Sequence, residues 1–179
     1  RVRGLVSIGG YNIQHIAAAG RPASAEAELR LWYQWYFNTP RGAAGLAANR
    51  RELCRLLWRL WSPNWDFDDA TFARTADSFD NPDFVEVVIQ SYRHRHAAAP
   101  GDPALAPIEA LLAARPPITV PSIVLEGEAD GVGPPSVEDH GRRHFTGPYR
   151  RTLIPRAGHF LPREAPREIA AAILELVDR

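Results

Sequence analysis

Cysteine occurs once in the 179 residues, and methionine and lysine do not occur at all. A lone thiol cannot close a disulfide within the chain, and Cys54 falls inside a helical pattern where it reads as a packed thiol. The basic charge is therefore all arginine, and 21 acidic residues cancel 21 basic ones. With no net field to draw it to nucleic acid or an anionic membrane, the chain is expected to meet a small molecule or a protein. No apolar run approaches the roughly 18 to 20 residues that a membrane helix needs. Nothing resembles a secretory start, so a cytoplasmic location is expected. The absence of Met reads as a sign that Arg1 is not the natural start and that the chain is a fragment or a processed product. "GEADGVGPP" (127–135) lacks the lysine and the repeated glycine spacing of a phosphate-binding loop. His94 and His96 are two apart on a helix and do not face each other. His140 and His144 have a workable i, i+4 spacing but no acidic or cysteine companion, so no metal site is expected.

What is present suits one domain with a real core: the chain is 45% hydrophobic and 9% aromatic. "VRGLVSIGG" (2–10) predicts a short buried strand ending in a glycine turn. From about 26 to 96 the text is helical. "EAELRLWYQWYF" (26–37) is unusually aromatic and is closed by "NTPRG". "LAANRRELCRLLWRLWSP" (46–63) places Leu53, Leu56, Leu57, Leu60 and Trp61 on one face, with Arg51, Arg55 and Arg59 opposite. "DDATFARTADSF" (68–79) is a weaker helix. "DNPDFVEVVIQSYRHR" (80–95) begins with Asn81 as a cap and Pro82 at the first helical position.

A Pro-, Ala- and Gly-rich connector, "HAAAPGDPALAP" (96–107), follows, and then the rhythm changes. Helix "IEALLAAR" (108–115), strand "SIVLEG" (122–127), a helix near 135–145, strand "RRTLIP" (150–155) and helix "PREIAAAILELV" (166–177) predict an α/β unit with parallel strands. In the last helix Ile169, Ile173, Leu176 and Val177 form the expected buried stripe. The organisation is thus a core from 1–15 and 107–179, interrupted by a helical insertion over 16–106. Three strands are too few to anchor so large an insertion, and further strands are expected upstream of Arg1.

In open parallel sheets the chemistry collects beyond the carboxyl ends of the strands. Asp130 follows "IVLEGEAD" and His159 follows "TLIPRAGH", so both emerge at that edge from neighbouring strands. A carboxylate bonded to one imidazole nitrogen fixes the tautomer and leaves the other nitrogen free as a general base. The "LEGEAD" of 125–130, the "AGHF" of 157–160 and the amphipathic last helix together resemble the C-terminal half of an α/β-hydrolase, and the helical stretch resembles that fold's cap domain. The resemblance covers essentially the whole chain.

Two cap segments narrow the resemblance. "WYQWYF" (32–37) is similar to the Tyr-Gln-x-Tyr-Phe pattern of epoxide hydrolases, and "SYRHR" (91–95) to their second cap segment. The family match implies that Tyr33 and Tyr92 hydrogen-bond the epoxide oxygen and that Gln34 lines the substrate pocket. On periodicity alone both tyrosines read as packed aromatics. The five tryptophans, Trp32, Trp35, Trp58, Trp61 and Trp65, are expected to build the cap's core.

The family's chemistry also needs a nucleophile on a strained strand-to-helix turn, Gly-x-Ser-x-Gly or an aspartate equivalent. No such motif occurs here: Ser7 sits inside a strand, Ser91 on a helix, and Cys54 is buried by pattern. The resemblance therefore implies an Asp nucleophile upstream of this chain, His159 as base, Asp130 as its orienter and no cofactor. Dehalogenase or serine-esterase chemistry on the same fold stays open. So does a truncated, non-catalytic binding module that pairs through an exposed sheet edge with the missing half or with itself.

Overall fold

In the computed structural model, residues 2–177 are described. The elements run β1 (Leu5–Ile8), α1 (Ala25–Arg30), α2 (Trp32–Phe37), α3 (Pro40–Ala48), α4 (Arg50–Trp61), α5 (Asp69–Ala76), α6 (Phe84–Arg95), α7 (Ala106–Ala113), β2 (Ser122–Gly127), β3 (Tyr149–Ile154), α8 (Leu161–Glu164) and α9 (Pro166–Val177). They divide into two compact units. One holds residues up to Ile13, Leu60–Trp65 and everything from Ala114 onward; the other holds Gln14–Arg59 and Asp66–Ala113.

The first unit is a three-stranded parallel sheet in the order β1-β2-β3. Leu5 pairs with Ser122 and Ile8 with Leu125, while Ser122 pairs with Tyr149 and Gly127 with Ile154. The central strand β2 is buried along almost its whole length, as a parallel strand covered on both faces must be. Ile123, Leu125, Ile154, Ala157, Leu161, Ala165 and Ala172 form the core, with Val6, Ile8, Ile169 and Leu176 packed against it.

The last helix buries a different stripe from the expected one. Ile169 and Leu176 do pack on the core, but Ala172 faces inward and is 1% exposed, whereas Ile173 and Val177 are 47% and 59% exposed. Both choices satisfy helical spacing from Ile169, and the narrow Ala172 side allows the closer approach to the sheet. The helix expected near 135–145 is absent. Pro134 and Pro135 cannot sustain one, and only a short turn, Arg142–His144, forms there. Asp139 shapes that loop by accepting from the Arg142 N–H at 3.0 Å and the Tyr149 hydroxyl at 2.6 Å.

The second unit is helical. The long helix expected from Glu26 breaks at Leu31 (φ −93°, ψ 12°), after which α2 turns Tyr33, Gln34 and Phe37 inward. In α4 the expected stripe is only partly buried: Leu57 and Trp58 are inside, while Leu56 and Leu60 are 46% and 47% exposed. Helix α6 starts at Phe84 rather than Pro82, because Asn81 accepts from the Asp83 N–H and caps a preceding turn instead. Trp58 packs edge-on against Phe67 and Phe72. Of the other tryptophans, Trp35 is 40% exposed and Trp61 and Trp65 belong to the sheet unit, so the expected five-tryptophan cap core does not form.

Candidate active site

Strand β2 ends at Gly127 and the chain turns at once to present Asp130. One carboxylate oxygen of Asp130 accepts the N–H groups of Val132 and Gly133, at 2.7 and 3.1 Å. That local turn fixes the side chain and leaves the second oxygen for another donor. The donor is His159, whose Nδ1 lies 2.9 Å from Asp130 Oδ2. A carboxylate can only accept, so Nδ1 carries a proton, and in the neutral ring that leaves the lone pair on Nε2. Asp130 is largely covered, at 14% side-chain exposure, while the imidazole is 41% exposed and open to a reactant. Burial pushes the Asp130 carboxyl up, but the bonds from His159, Gly133 and Val132 outweigh it and hold the group below the usual carboxylate value.

The His159 loop is anchored by residues that sequence patterns do not single out. Trp61 O accepts from both Gly131 N–H and His159 N–H, at 2.9 and 3.2 Å. The Trp61 ring lies edge-on to the imidazole, with centroids 5.6 Å apart. Glu164, five positions after the histidine, accepts from the Gly158 N–H at 2.8 Å, the Phe160 N–H at 3.0 Å and the Ser62 hydroxyl at 2.6 Å. An acid placed in the first turn of a helix after Gly-His-Phe is a weak local signal for Glu164. Ser62 has none, because its partners lie about a hundred residues away in sequence.

The helical unit brings together the remaining candidates. The Tyr33 and Tyr92 rings meet edge to face with centroids 5.5 Å apart, and the two hydroxyls hydrogen-bond. Tyr33 is 2% exposed. Burial, reinforced by the neighbouring Tyr33, pushes the Tyr92 phenol well above its ordinary value, so it is a neutral donor across the working pH range. Gln34, also 2% exposed, donates its amide to Tyr33 Oη at 3.1 Å. The Gln34 carbonyl in turn faces His96 Nε2 at 3.0 Å, which fixes the amide's orientation. Burial and the nearby Arg95 lower the His96 pKa, favouring the neutral ring, and Trp35 stacks against it at 4.1 Å. Tyr33, Gln34 and His96 thus form one polar chain, running from two buried side chains to a half-buried ring, of which the sequence pattern named only the first two. Among the described residues no group of three or more His, Cys, Asp or Glu side chains is placed to hold a metal ion, and no helix is long and apolar enough to cross a membrane.

No protein-family model matches the chain. A 60-residue stretch, 34% of the chain, is 43% identical to Epoxide hydrolase A of Mycobacterium tuberculosis and covers 19% of that protein. A crystal structure of a provisionally named epoxide hydrolase from Klebsiella pneumoniae superimposes over the whole chain with a TM-score of 0.95 and 42% identity. The chain spans 59% of that protein's length. A haloalkane dehalogenase from Bradyrhizobium elkanii, in a loop variant, shares the fold over 99% of the chain and 59% of its own length, with a TM-score of 0.70 at 17% identity. The chain therefore has the fold of the C-terminal part of an α/β-hydrolase, and it is similar in sequence to epoxide hydrolases.

Proposed function

We propose that the chain carries the water-activating base and the oxygen-binding phenols of an epoxide hydrolase acting on a small apolar epoxide. An aspartate outside these residues attacks an epoxide carbon, the C–O bond breaks, and an ester to that aspartate forms. Tyr33 and Tyr92 hydrogen-bond the departing oxygen, and one of the phenols gives it a proton. His159, held by Asp130, removes a proton from water through Nε2. The resulting hydroxide attacks the ester carbonyl, the ester opens, a vicinal diol leaves with the aspartate restored, and the proton on His159 returns through solvent to the phenolate. Preorganised donors aimed at a developing alkoxide, and a base of matched geometry, are each worth roughly 10²-fold or more in rate.

The observation that carries this proposal is the hydrogen-bonded pair of phenols, Tyr33 and Tyr92. Two phenolic hydroxyls within reach of each other can both turn to donate to one substrate oxygen, an arrangement that holding a halide or a carboxylic ester would not call for. The test is to extend the chain to the full coding region and assay it on a small aromatic epoxide, a haloalkane and a short-chain ester side by side. Diol formation without halide or acid release is the expected result. Halide release with no diol would replace the proposal with dehalogenase chemistry, and activity on none of the three would favour a binding module. The present chain alone is expected to be inactive in the same assay.

A further inference from the structure

The residues around His159 form a brace that goes beyond the base and its carboxylate. Trp61, the last residue of α4, and the three that follow it, Ser62, Pro63 and Asn64, run against the loops that carry Asp130 and His159. Trp61 O ties the N–H beside Asp130 to the N–H of His159 itself. Ser62, 1% exposed, donates to Glu164 and accepts from the Phe160 N–H at 3.2 Å. Asn64 donates at 3.0 Å to the carbonyl of Arg156, a non-glycine residue held at φ 63°. Glu164 closes the other side by gathering the N–H groups on either flank of His159.

The approach is so close that two glycines are obligatory. A Cβ on Gly131 would lie 1.9 Å from Leu60 O, and one on Gly158 would lie 2.6 Å from Ser62 Cα. These are backbone obstructions, so a side chain at either position must push the brace away. The glycines sit next to Asp130 and His159 respectively, which places the closest packing where it constrains the pair most.

We propose that Ser62 and Glu164 are positioning residues for the base: with the Trp61 carbonyl they set the reach of His159 Nδ1 to Asp130 and hold the imidazole in the Nδ1–H tautomer. This rests on His159 serving as the base. A glutamine at 164 would turn an N–H₂ toward one of three donors that now share two carboxylate oxygens, so at least one bond fails and the loop relaxes. Displacing a catalytic group by about 1 Å is enough to lose on the order of 10²-fold in rate.

The experiment reads the imidazole directly, in this chain and without substrate. Nitrogen-15 spectra give the tautomer of His159, assigned by its loss in His159→Gln, with melting temperature followed in parallel. Asp130→Asn is the reference for a lost Nδ1–H tautomer. Glu164→Gln and Ser62→Ala are expected to shift His159 in the same direction, Glu164→Asp to restore much of it, and Glu164→Gln to add nothing to Asp130→Asn. If the variants lower the melting temperature while the tautomer stays as in the parent chain, the two residues only stabilise the loop and the proposal fails. An additive shift on the Asp130→Asn background overturns it equally. Should Glu164→Gln not fold, Ser62→Ala decides alone. A failure of the epoxide chemistry would leave the tautomer result unchanged, so the two outcomes are separable.

Discussion

Tyr33 on α2 and Tyr92 on α6 stand edge to face, 5.5 Å between centroids, with their hydroxyls bonded to each other. Packing alone would be served as well by phenylalanine. Tyr33→Phe or Tyr92→Phe should leave the fold intact and lower epoxide turnover in the full-length protein by roughly 10²-fold. The ratio of kcat/KM values measures it, and turnover within a few-fold of the parent in both variants would remove the phenols from the mechanism.

In the proposed reaction His159 would act in the second step only. In the full-length His159→Gln variant the ester should form and then persist, because water lacks its base. Intact-protein mass spectrometry should show one substrate mass added per chain, with diol release slowed by about 10²- to 10⁴-fold. A variant that never becomes labelled would place His159 in the first step instead.

Acid stability should report the Asp130 contact. The folded-state carboxyl is depressed below the unfolded value of 3.8. Its contribution is therefore fully present above that value and disappears as pH falls through the lower, folded-state pKa. Melting temperature should drop across this window in the parent chain and less steeply in Asp130→Asn. Asp68, which caps α5 and is likewise depressed, supplies a residual slope in both.

Burial pushes the Cys54 thiol up to about 11. Since the thiolate is the reactive form, Cys54 should resist alkylation at neutral pH and become labelled only on unfolding. Rapid modification of the native chain by iodoacetamide would contradict its placement.

Among the described residues β1 pairs on one side only, with β2, and Val2, Ile173, Leu174 and Val177 of the same unit are exposed. An open strand edge beside apolar side chains invites pairing with another chain. The isolated chain is therefore expected to self-associate in a concentration-dependent way, seen by sedimentation. A monodisperse, cooperatively melting monomer would argue against the idea that a further part of the fold covers this edge.

Much of the fold was legible because it rests on local patterns. Strands at 122–127 and near 150–155 announce themselves by β-branched runs, and the last helix by its periodicity over 166–177. Asp130 and His159 were legible as a pair because parallel topology delivers successive strand ends to one edge. Local patterns failed where two faces competed. Ala172 rather than Ile173 turned inward on α9, and Leu57 and Trp58 rather than Leu56 and Leu60 on α4, since spacing offers both and only the packing partner selects one.

By itself, the sequence determined the α/β class, the helical insertion, the likeness to epoxide hydrolases and the identities of the residues at the strand ends. It could do so because those features are written in periodicity, turn residues and short motifs. Only the tertiary structure decided that Tyr33 and Tyr92 share a hydrogen bond, that His96 locks Gln34, and that Ser62 and Glu164 grip the His159 loop. Each of those depends on a donor meeting an acceptor from a separate part of the chain. Such a meeting is fixed by distances of about 3 Å, and no spacing along a sequence encodes it.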